Sequence, residues 1–422
     1  MIKLLPHQES VLEQTRKFDR VAYYLEMGTG KTFVGSEKMR QLGTSAALVI
    51  CQKSKVDDWV AHFREHYGYN VVIFDKQSLS DIPEHSVLII NYDLAWRREE
   101  LLKLRNFTLI LDESSQIKNE SRKRSKFILK LRPQNVILLS GTPTGGKYEE
   151  LWSQCKLLGW NISKKLYWEQ FIETRTDIIN GFPVKIVTGY KNVERLKRKL
   201  REYGAVFMKA EEVLTLPETI DTFVHVPSTR EYRRFQKDRL IGIGGKTLIG
   251  DTPLTRLLYL RQLAGMYNPN KLERLQELLE STNDRVVVFY NFDLEYVKIA
   301  QICRRLDKPV STVNGKDKDL RAYGQHPNSV TLVQYQAGAM GLNLQLANKI
   351  IYFTLPLSSE LWEQSKKRIH RIGQIKTCFY YYLLTTGTIE PKILETLKQR
   401  KDFTDRLFKE VEDDRSGAAK KG

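Results

Sequence analysis

The stretch MGTGKT, residues 27–32, places two glycines, a lysine and a threonine directly after an apolar run. Gly28 and Gly30 allow a tight turn of the backbone, so that successive N–H groups can point at phosphate oxygens. Lys31 can reach β- and γ-phosphates, and Thr32 offers a hydroxyl to Mg²⁺. The alternative is a glycine-rich structural turn. The phosphate-binding interpretation predicts the following nucleotide contacts: Gly28, Thr29, Gly30, Lys31 and Thr32.

A second chemical motif is the acidic pair Asp112–Glu113, which ends the apolar run in LILDESSQIKN, residues 109–119. A carboxylate at the C-terminal end of a parallel strand lies on the edge where open α/β sheets bind ligands. Asp112 could therefore hold Mg²⁺ together with Thr32, while Glu113 orients and deprotonates an attacking water. The alternative is a pair of carboxylates that caps a helix.

The third motif is ILLSGTPT, residues 137–144, an apolar run that ends in small polar side chains. Ser140 and Thr142 could contact the γ-phosphate, and the alternative is a turn made by Gly141 and Pro143. Each alternative is reasonable for one motif alone. Because all three motifs follow strand candidates in this order, together they favour a nucleotide site.

Short apolar runs alternate with amphipathic stretches along the first third of the chain, and this alternation predicts an α/β fold with a parallel sheet covered on both faces. The pattern returns near residue 285 with RVVVFY, VSTVN, VTLVQY, KIIYF and FYYYLL. The first set of strand candidates is 21–25, 46–51, 71–74, 87–90, 107–111 and 136–139.

Two separate lobes are expected because single cores stop growing near ~250–300 residues, and this chain has 422. Between the two blocks lies a Lys- and aromatic-rich stretch without strand rhythm, which is expected to be helical. The predicted organisation is a first lobe at 1–143, a helical insertion at 144–215, a linker and helical start of lobe two at 216–284, the second lobe at 285–400 and a polar tail at 401–422.

The composition favours a polyanionic partner, because 68 Lys and Arg residues face 50 Asp and Glu residues and give a net charge of +18. Solvated helix faces are the alternative explanation for the denser basic runs. The apolar runs are far shorter than the ~20 residues of a membrane span, and no signal peptide is recognisable. We therefore expect a soluble, cytoplasmic protein whose four cysteines are reduced core thiols.

Several longer strings resemble the Swi/Snf-type ATPases of helicase superfamily two. QSKKRIHRIGQ (364–374) resembles their sixth motif, VQYQAGAMGLNLQLANKIIYF (333–353) their fifth, and LLPHQ (4–8) their adenine-side motif. DESSQIKN matches their acidic motif, except that Ser114–Ser115 replace the usual Ala-His. The resemblance implies two RecA-like lobes with a helical insertion, in a minimal form without accessory domains, that use ATP and Mg²⁺.

The resemblance also implies roles for residues outside the three motifs. Gln8 would contact the adenine edge, and Gly341 would bring the backbone close to the nucleotide. Arg368 and Arg371, three apart on one side of a helix or turn, would act as arginine fingers from the second lobe. A surface ion-pair network is the alternative for these arginines. The nucleic-acid contacts implied are Lys53, Ser54, Asn91, Tyr92, Asn314, Gly315, Gln336 and Gly338.

These expectations combine into an ATP-driven translocase on double-stranded DNA that remodels protein–DNA complexes or branched DNA. A helicase that separates DNA or RNA strands is the first alternative. A non-catalytic nucleic-acid-binding scaffold is the second, and the intact catalytic side chains argue against it. A monomer is expected, in a bacterial or virus-infected cell, and a separate protein or the insertion itself would supply targeting.

Overall fold

The structure is a computed structural model that describes residues 3–44, 46–179, 182–338 and 342–408. The chain divides into two compact units, the first formed by the chain up to Leu214 together with the residues from Asp402, and the second by Thr215–Lys401. Each unit contains one seven-stranded sheet with the order of strands given below. The prediction of two α/β lobes is therefore confirmed.

The first unit is built on seven parallel strands in the order β3-β4-β2-β5-β6-β1-β9. All six predicted strands are present, each within one residue of its predicted bounds. The strands of this unit, including a separate hairpin formed by the seventh and eighth, are β1 Arg20–Leu25, β2 Ala46–Cys51, β3 Asn70–Ile73, β4 Ser86–Asn91, β5 Phe107–Asp112, β6 Asn135–Leu139, β7 Ile172–Ile179, β8 Phe182–Tyr190 and β9 Ala205–Met208.

Helices cover both faces of this sheet, because its strands are apolar on both faces. Along β1, Ala22 and Tyr24 contribute to one core layer, whereas Val21, Tyr23 and Leu25 contribute to the other. The helices of the first unit are α1 Pro6–Gln14, α2 Lys31–Leu42, α3 Val56–Tyr67, α4 Tyr92–Ala95, α5 Lys123–Ile128, α6 Trp152–Leu157, α7 Lys164–Phe171, α8 Val193–Glu202 and α9 Ala210–Val213.

The stretch 144–215 differs from the expected helical insertion. It contains α6, α7 and α8, but β7 and β8 form a long antiparallel hairpin, and β9 pairs with β1 at the edge of the sheet. The β-branched residues in ETRTDII and PVKIVTGY favour strands, a signal hidden by the many lysines and aromatic residues around them. Several of its side chains, Trp160 and Tyr167 among them, belong to a core layer of the first unit.

The second unit has a sheet in the order β10-β18-β17-β13-β16-β14-β15, in which only the short edge strand β15 is antiparallel. Its strands, including a separate hairpin of β11 and β12, are β10 Thr219–Val226, β11 Leu240–Ile243, β12 Lys246–Ile249, β13 Val286–Tyr290, β14 Val310–Val313, β15 Lys318–Asp319, β16 Val330–Gln334, β17 Lys349–Tyr352 and β18 Cys378–Thr385. Its helices are α10 Arg230–Asp238, α11 Pro253–Ala264, α12 Pro269–Glu280, α13 Asp293–Arg305, α14 Arg321–Gln325, α15 Tyr335–Gly338, α16 Ser359–Lys366 and α17 Glu390–Phe408.

The boundary predicted at 285 is wrong, since the second sheet begins at β10. This strand pairs along its whole length with β18, from Thr219 opposite Cys378 to Val226 opposite Thr385. Its residues, TIDTFVHV, mix polar and apolar side chains, and only Val224 and Val226 are buried, as on an edge strand that is largely exposed to solvent. It therefore lacks the continuous apolar run that predicts a buried parallel strand. The predicted tail also begins inside α17, which continues to Phe408, and residues 409–422 lie outside the described residues.

Two further expectations can be compared with the structure. All four cysteines are buried and none is in a disulfide, as expected of core thiols. Among the described helices, none combines the length and apolar character that crossing a membrane requires.

Candidate nucleotide-binding site

The glycine loop lies between the end of β1 and the start of α2, which begins at Lys31. Gly28 and Gly30 have φ values of 91° and 81°, in the left-handed region that side chains disfavour. The carbonyl of Glu26 accepts hydrogen bonds from the Thr29 hydroxyl at 2.7 Å and from Lys31 Nζ at 3.5 Å. The loop therefore folds back over its own first residue, and its amides precede a helix N-terminus, where anions bind.

Gln8, on α1, contacts this loop. Its amide nitrogen donates to the carbonyl of Thr29 at 3.1 Å, and its amide oxygen accepts from the backbone N–H of Leu5 at 2.9 Å. A β-carbon at position 30 would lie only 2.1 Å from Gln8 Nε2, so glycine is required there for a second reason. In the structure Gln8 holds the glycine loop, and its contact with adenine stays a prediction.

The acidic pair lies beside the glycine loop because β5, β6 and β1 are neighbours in the parallel sheet. Asp112 is the last residue of β5, and Glu113 follows with φ 56° and ψ 61°. A left-handed conformation is uncommon for a residue other than glycine, asparagine or aspartate, and such conformations concentrate at functional sites. Both carboxylates thus occupy the edge of the sheet at which the loop also ends.

The SGTP segment, residues 140–143, connects to both of these motifs. The Ser140 hydroxyl donates to Glu113 Oε2 at 3.3 Å and accepts from the backbone N–H of Thr142 at 3.1 Å. A β-carbon on Gly141 would lie 3.3 Å from Lys31 Nζ. The structure therefore brings together Lys31, Glu113 and Ser140, three residues that the sequence places up to 109 positions apart.

Thr142 has a buried hydroxyl that makes no hydrogen bond to any residue the structure describes. A buried donor without a partner is costly, and a phosphate oxygen would satisfy it. With the left-handed glycine loop and Lys31 Nζ close by, this hydroxyl shows that the residues present fit a triphosphate. Thr32 is half-buried at the start of α2, in the position from which its hydroxyl would be offered to a cation.

Three buried side chains next to these motifs were not predicted as part of the nucleotide site. Trp59 Nε1 donates to Asp112 Oδ2 at 2.9 Å, and the Tyr92 hydroxyl donates to the carbonyl of Asp112 at 3.0 Å. Gln154 accepts from the Ser114 hydroxyl at 2.7 Å and donates to the carbonyl of Pro143 at the same distance. The polar ends of these residues give no signal in the sequence, because their partners lie 11 to 53 positions away.

Two residues predicted as nucleic-acid contacts in the first unit have buried side chains in this structure, and their contacts with DNA stay a prediction. Tyr92 is buried. Its burial, and to a smaller extent the negative charge of nearby Asp112, raise the pKa of its hydroxyl well above the usual value. The hydroxyl therefore stays protonated and donates to the carbonyl of Asp112. Asn91 is also buried, and its side chain caps α4 by accepting from the N–H groups of Asp93 and Leu94. By contrast, Lys53 and Ser54 are exposed in a short 3-10 turn after β2.

The predicted residues of the second unit occupy varied surroundings. Asn314 caps a turn by accepting from the N–H groups of Lys316 and Asp317, and Gly315 and Gln336 are exposed. Gly338 is the last residue of α15, whereas Gly341 lies outside the described residues.

Arg368 and Arg371 follow the end of α16 in a turn, and they differ in how deeply their side chains are buried. Arg368 is 1 % exposed. Arg371 is half-buried and donates to the carbonyl of Leu342 at 3.4 Å and to Asn343 Oδ1. Their shared role as arginine fingers stays a prediction.

Comparison with known families assigns the chain to a class. Residues 11–260 match the SNF2-related domain, and residues 270–373 match the helicase conserved C-terminal domain. Because the first match covers more than half of the 422 residues, the chain belongs to the SNF2-related family. The two matches together are those of the ATP-dependent helicase and translocase class of superfamily two, in agreement with the resemblance found in its motifs.

Individual relatives are distant. The chain is 27% identical to YwqA of Bacillus subtilis over 91% of its own length, and 25% identical to the ISWI chromatin-remodeling complex ATPase ISW2 of Saccharomyces cerevisiae over 89%. It spans only 46% and 38% of those two proteins. It is 22% identical to the uncharacterized ATP-dependent helicase YqhH of Bacillus subtilis and spans 80% of it.

Among solved structures, the Sulfolobus solfataricus SWI2/SNF2 ATPase core in complex with dsDNA matches with a TM-score of 0.45 and 22% identity. The match covers 96% of this chain and 92% of that one.

Proposed function

We propose that the chain is an ATP-driven translocase on double-stranded DNA that remodels protein–DNA complexes or branched DNA. The observation that carries the proposal is the convergence of Lys31, Glu113 and Ser140 on neighbouring strand ends, beside the Thr142 hydroxyl, which has no hydrogen-bond partner among the described residues. A net charge of +18 supports a polyanionic partner. ISW2, one of the relatives, is named as the ATPase of a chromatin-remodeling complex, which supports DNA as that partner.

In the proposed reaction, the loop amides and Lys31 bind the β- and γ-phosphates. Thr32 and Asp112 would hold Mg²⁺, which supplies positive charge to the phosphate oxygens. Glu113 orients the attacking water and accepts its proton, and Ser140 keeps the Glu113 carboxylate in place through its hydroxyl. Arg368 and Arg371 are proposed to supply guanidinium groups to the developing charge, which contributes ~10³–10⁵ in rate in related phosphoryl-transfer enzymes.

The deciding experiment measures ATP turnover with duplex DNA, single-stranded DNA, RNA or no nucleic acid. We expect the strongest stimulation with duplex DNA. Lys31→Ala should abolish turnover while duplex binding is kept, because the proposed partner of the lysine is the triphosphate of ATP and not the DNA. Turnover that is fastest with RNA would overturn the duplex assignment, and normal turnover in Lys31→Ala would show that the site is misplaced.

A strand-separating helicase is the second candidate, and the β7–β8 hairpin favours it. Ile178 and Phe182, next to the hairpin turn, are 79% and 73% exposed. Apolar side chains of this kind can insert between bases and unstack them. If the hairpin separates strands, the wild type displaces a strand from a forked duplex, and the double variant Ile178→Ser, Phe182→Ser loses this activity but keeps duplex-stimulated turnover.

Leu166→Ser is the matched control, because Leu166 is an exposed apolar residue on α7, outside the hairpin. Absence of displacement by the wild type would leave the translocase as the proposed function. Equal displacement by the wild type and the double variant would mean that strands are separated without the hairpin.

A further inference from the structure

Two segments of the first unit each direct a buried aromatic side chain to the acidic pair. One segment is the exposed turn of residues 53–55 with the first turn of α3, and the other is the end of β4 with the start of α4. Both were predicted from the sequence to lie against nucleic acid. Their strands, β2 and β4, lie next to each other in the sheet, and β2 is also the neighbour of β5.

The first contact is made by Trp59, which lies in the first turn of α3 and is 2% exposed. Its indole N–H, which can only donate, points to Asp112 Oδ2 at 2.9 Å. The ring stacks on Phe63 with centroids 5.5 Å apart, which fixes its position on the helix. The exposed turn of Lys53–Lys55 immediately precedes α3, and an ion pair of 2.6 Å between Lys55 and Asp58 joins the two.

The second contact is made by Tyr92, the first residue of α4. Its hydroxyl donates to the carbonyl of Asp112 at 3.0 Å and to that of Glu113 at 3.4 Å. Glu113 has a left-handed backbone, so the direction of its carboxylate depends on what holds its peptide groups. Tyr92 therefore restrains the residue that orients the attacking water.

Tyr92 is also connected to the surface. The guanidinium of Arg124 lies 5.4 Å from the centre of the Tyr92 ring and forms an ion pair of 2.6 Å with the exposed Asp93. Arg124 belongs to the basic run SRKRSK, residues 121–126. A phosphate near this run would compete with Asp93 for Arg124 and thus change the surroundings of the Tyr92 ring.

We propose that Trp59 and Tyr92 are positioning residues through which DNA on these two segments controls the geometry of Asp112 and Glu113. This inference rests on the proposed function of a DNA-stimulated ATPase. DNA that moves the 53–55 turn or the start of α4 alters the hydrogen bonds to the acidic pair. Hydrolysis then responds to DNA although neither ring contacts DNA or nucleotide.

The test uses Trp59→Phe and Tyr92→Phe, which remove one donor each and keep a buried ring. We expect the ratio of duplex-stimulated to DNA-free turnover to fall about tenfold in each variant, as for loss of one hydrogen bond to a charged or strained group. The KM for ATP should change little. Trp152→Phe and Tyr190→Phe are matched controls, since each removes a donor to Ile162 or Glu149 elsewhere in the unit.

A binding measurement separates this role from a merely structural one. Coupling between sites is reciprocal, so a non-hydrolysable ATP analogue should change the duplex Kd of the wild type. In Trp59→Phe and Tyr92→Phe this change should shrink toward zero, whereas the control variants keep it. Thermal unfolding of each variant identifies one that fails to fold, and the other variant then carries the test alone.

The outcomes distinguish two failures. A wild type that duplex DNA does not stimulate contradicts the proposed function itself. A stimulated wild type, with Trp59→Phe and Tyr92→Phe behaving like their controls, overturns only the positioning role.

Discussion

Ser114 follows the acidic pair at a position where the resembling ATPases carry alanine, and the structure shows what its hydroxyl does. It donates to Gln154 Oε1, which also accepts from the Tyr24 hydroxyl at 3.0 Å. Gln154 Nε2 donates to the carbonyl of Pro143 in the SGTP segment. One buried amide therefore joins the acidic motif to the SGTP segment, in a chain that lacks the usual Ala-His after its acidic pair.

The residue-scale prediction is that Gln154→Leu lowers the free energy of unfolding by about 2–3 kcal/mol and slows duplex-stimulated turnover. Leucine would remove the buried partner of the Ser114 hydroxyl, the Tyr24 hydroxyl and the Pro143 carbonyl. Each buried polar group that loses its partner costs free energy. Ser114→Ala should cost only about 1 kcal/mol, because Tyr24 still donates to Gln154. Urea unfolding and turnover assays measure both effects.

Ser153→Ala provides the control for this experiment, since the neighbouring Ser153 hydroxyl is buried and has no hydrogen-bond partner among the described residues. Its removal should leave stability and turnover unchanged. If Gln154→Leu behaves like Ser153→Ala, the amide does not link the two motifs.

At the scale of elements, a buried ion pair in the second unit joins α12 to α17. Lys271 Nζ lies 2.6 Å and 2.7 Å from the two carboxylate oxygens of Glu390, and the side chains are 0% and 3% exposed. Glu390 Oε2 also accepts from the backbone N–H of Thr385, at the end of β18. Two segments 119 residues apart, NPNKLERLQELLE and GTIEPKILE, are thereby held together.

The element-scale prediction is that Lys271→Met destabilises the protein by about 3–5 kcal/mol, because it leaves the buried Glu390 carboxylate without its cation. The double variant Lys271→Met, Glu390→Gln should recover part of this loss, since no uncompensated charge remains. Arg274→Met is the control on the same helix, where an exposed ion pair with Glu277 is worth about 0–1 kcal/mol.

Urea unfolding monitored by circular dichroism compares these variants. A single variant as stable as Arg274→Met would contradict the structural role of the pair. A double variant less stable than Lys271→Met would contradict the electrostatic explanation.

At the scale of the whole molecule, the excess of 18 positive charges makes a prediction about DNA affinity. The logarithm of the duplex association constant should fall linearly with the logarithm of salt concentration, with a slope of about −0.9 for each phosphate neutralised. Lys53 is exposed on the turn after β2, so Lys53→Gln should reduce the slope by about one. Lys53→Arg keeps the charge and should keep the slope.

Fluorescence titration of labelled duplex at several salt concentrations gives these slopes. An affinity independent of salt would contradict electrostatic binding. An unchanged slope in Lys53→Gln would remove this lysine from the DNA-facing surface.

Much of the candidate nucleotide-binding site in the first unit could be predicted from local sequence patterns. The strands β1, β5 and β6 are apolar runs that fill both faces of a parallel sheet, and each motif begins where its run ends. Such a pattern involves a few consecutive residues, so one sequence is enough to recognise it. Gly28 and Gly30 were recognisable for the same reason, because the turn they make is local.

The sequence alone thus determined the two α/β lobes and the motifs that are proposed to bind and cleave a nucleotide, since these depend on short-range patterning. The tertiary structure decided that β10 belongs to the second sheet and that Trp59, Tyr92 and Gln154 hold the acidic motif. The hydrogen bonds of these three residues join side chains 20 to 53 positions from their partners in that motif. Which of them meet depends on the order of strands in the sheet, a long-range property that no local run of residues specifies.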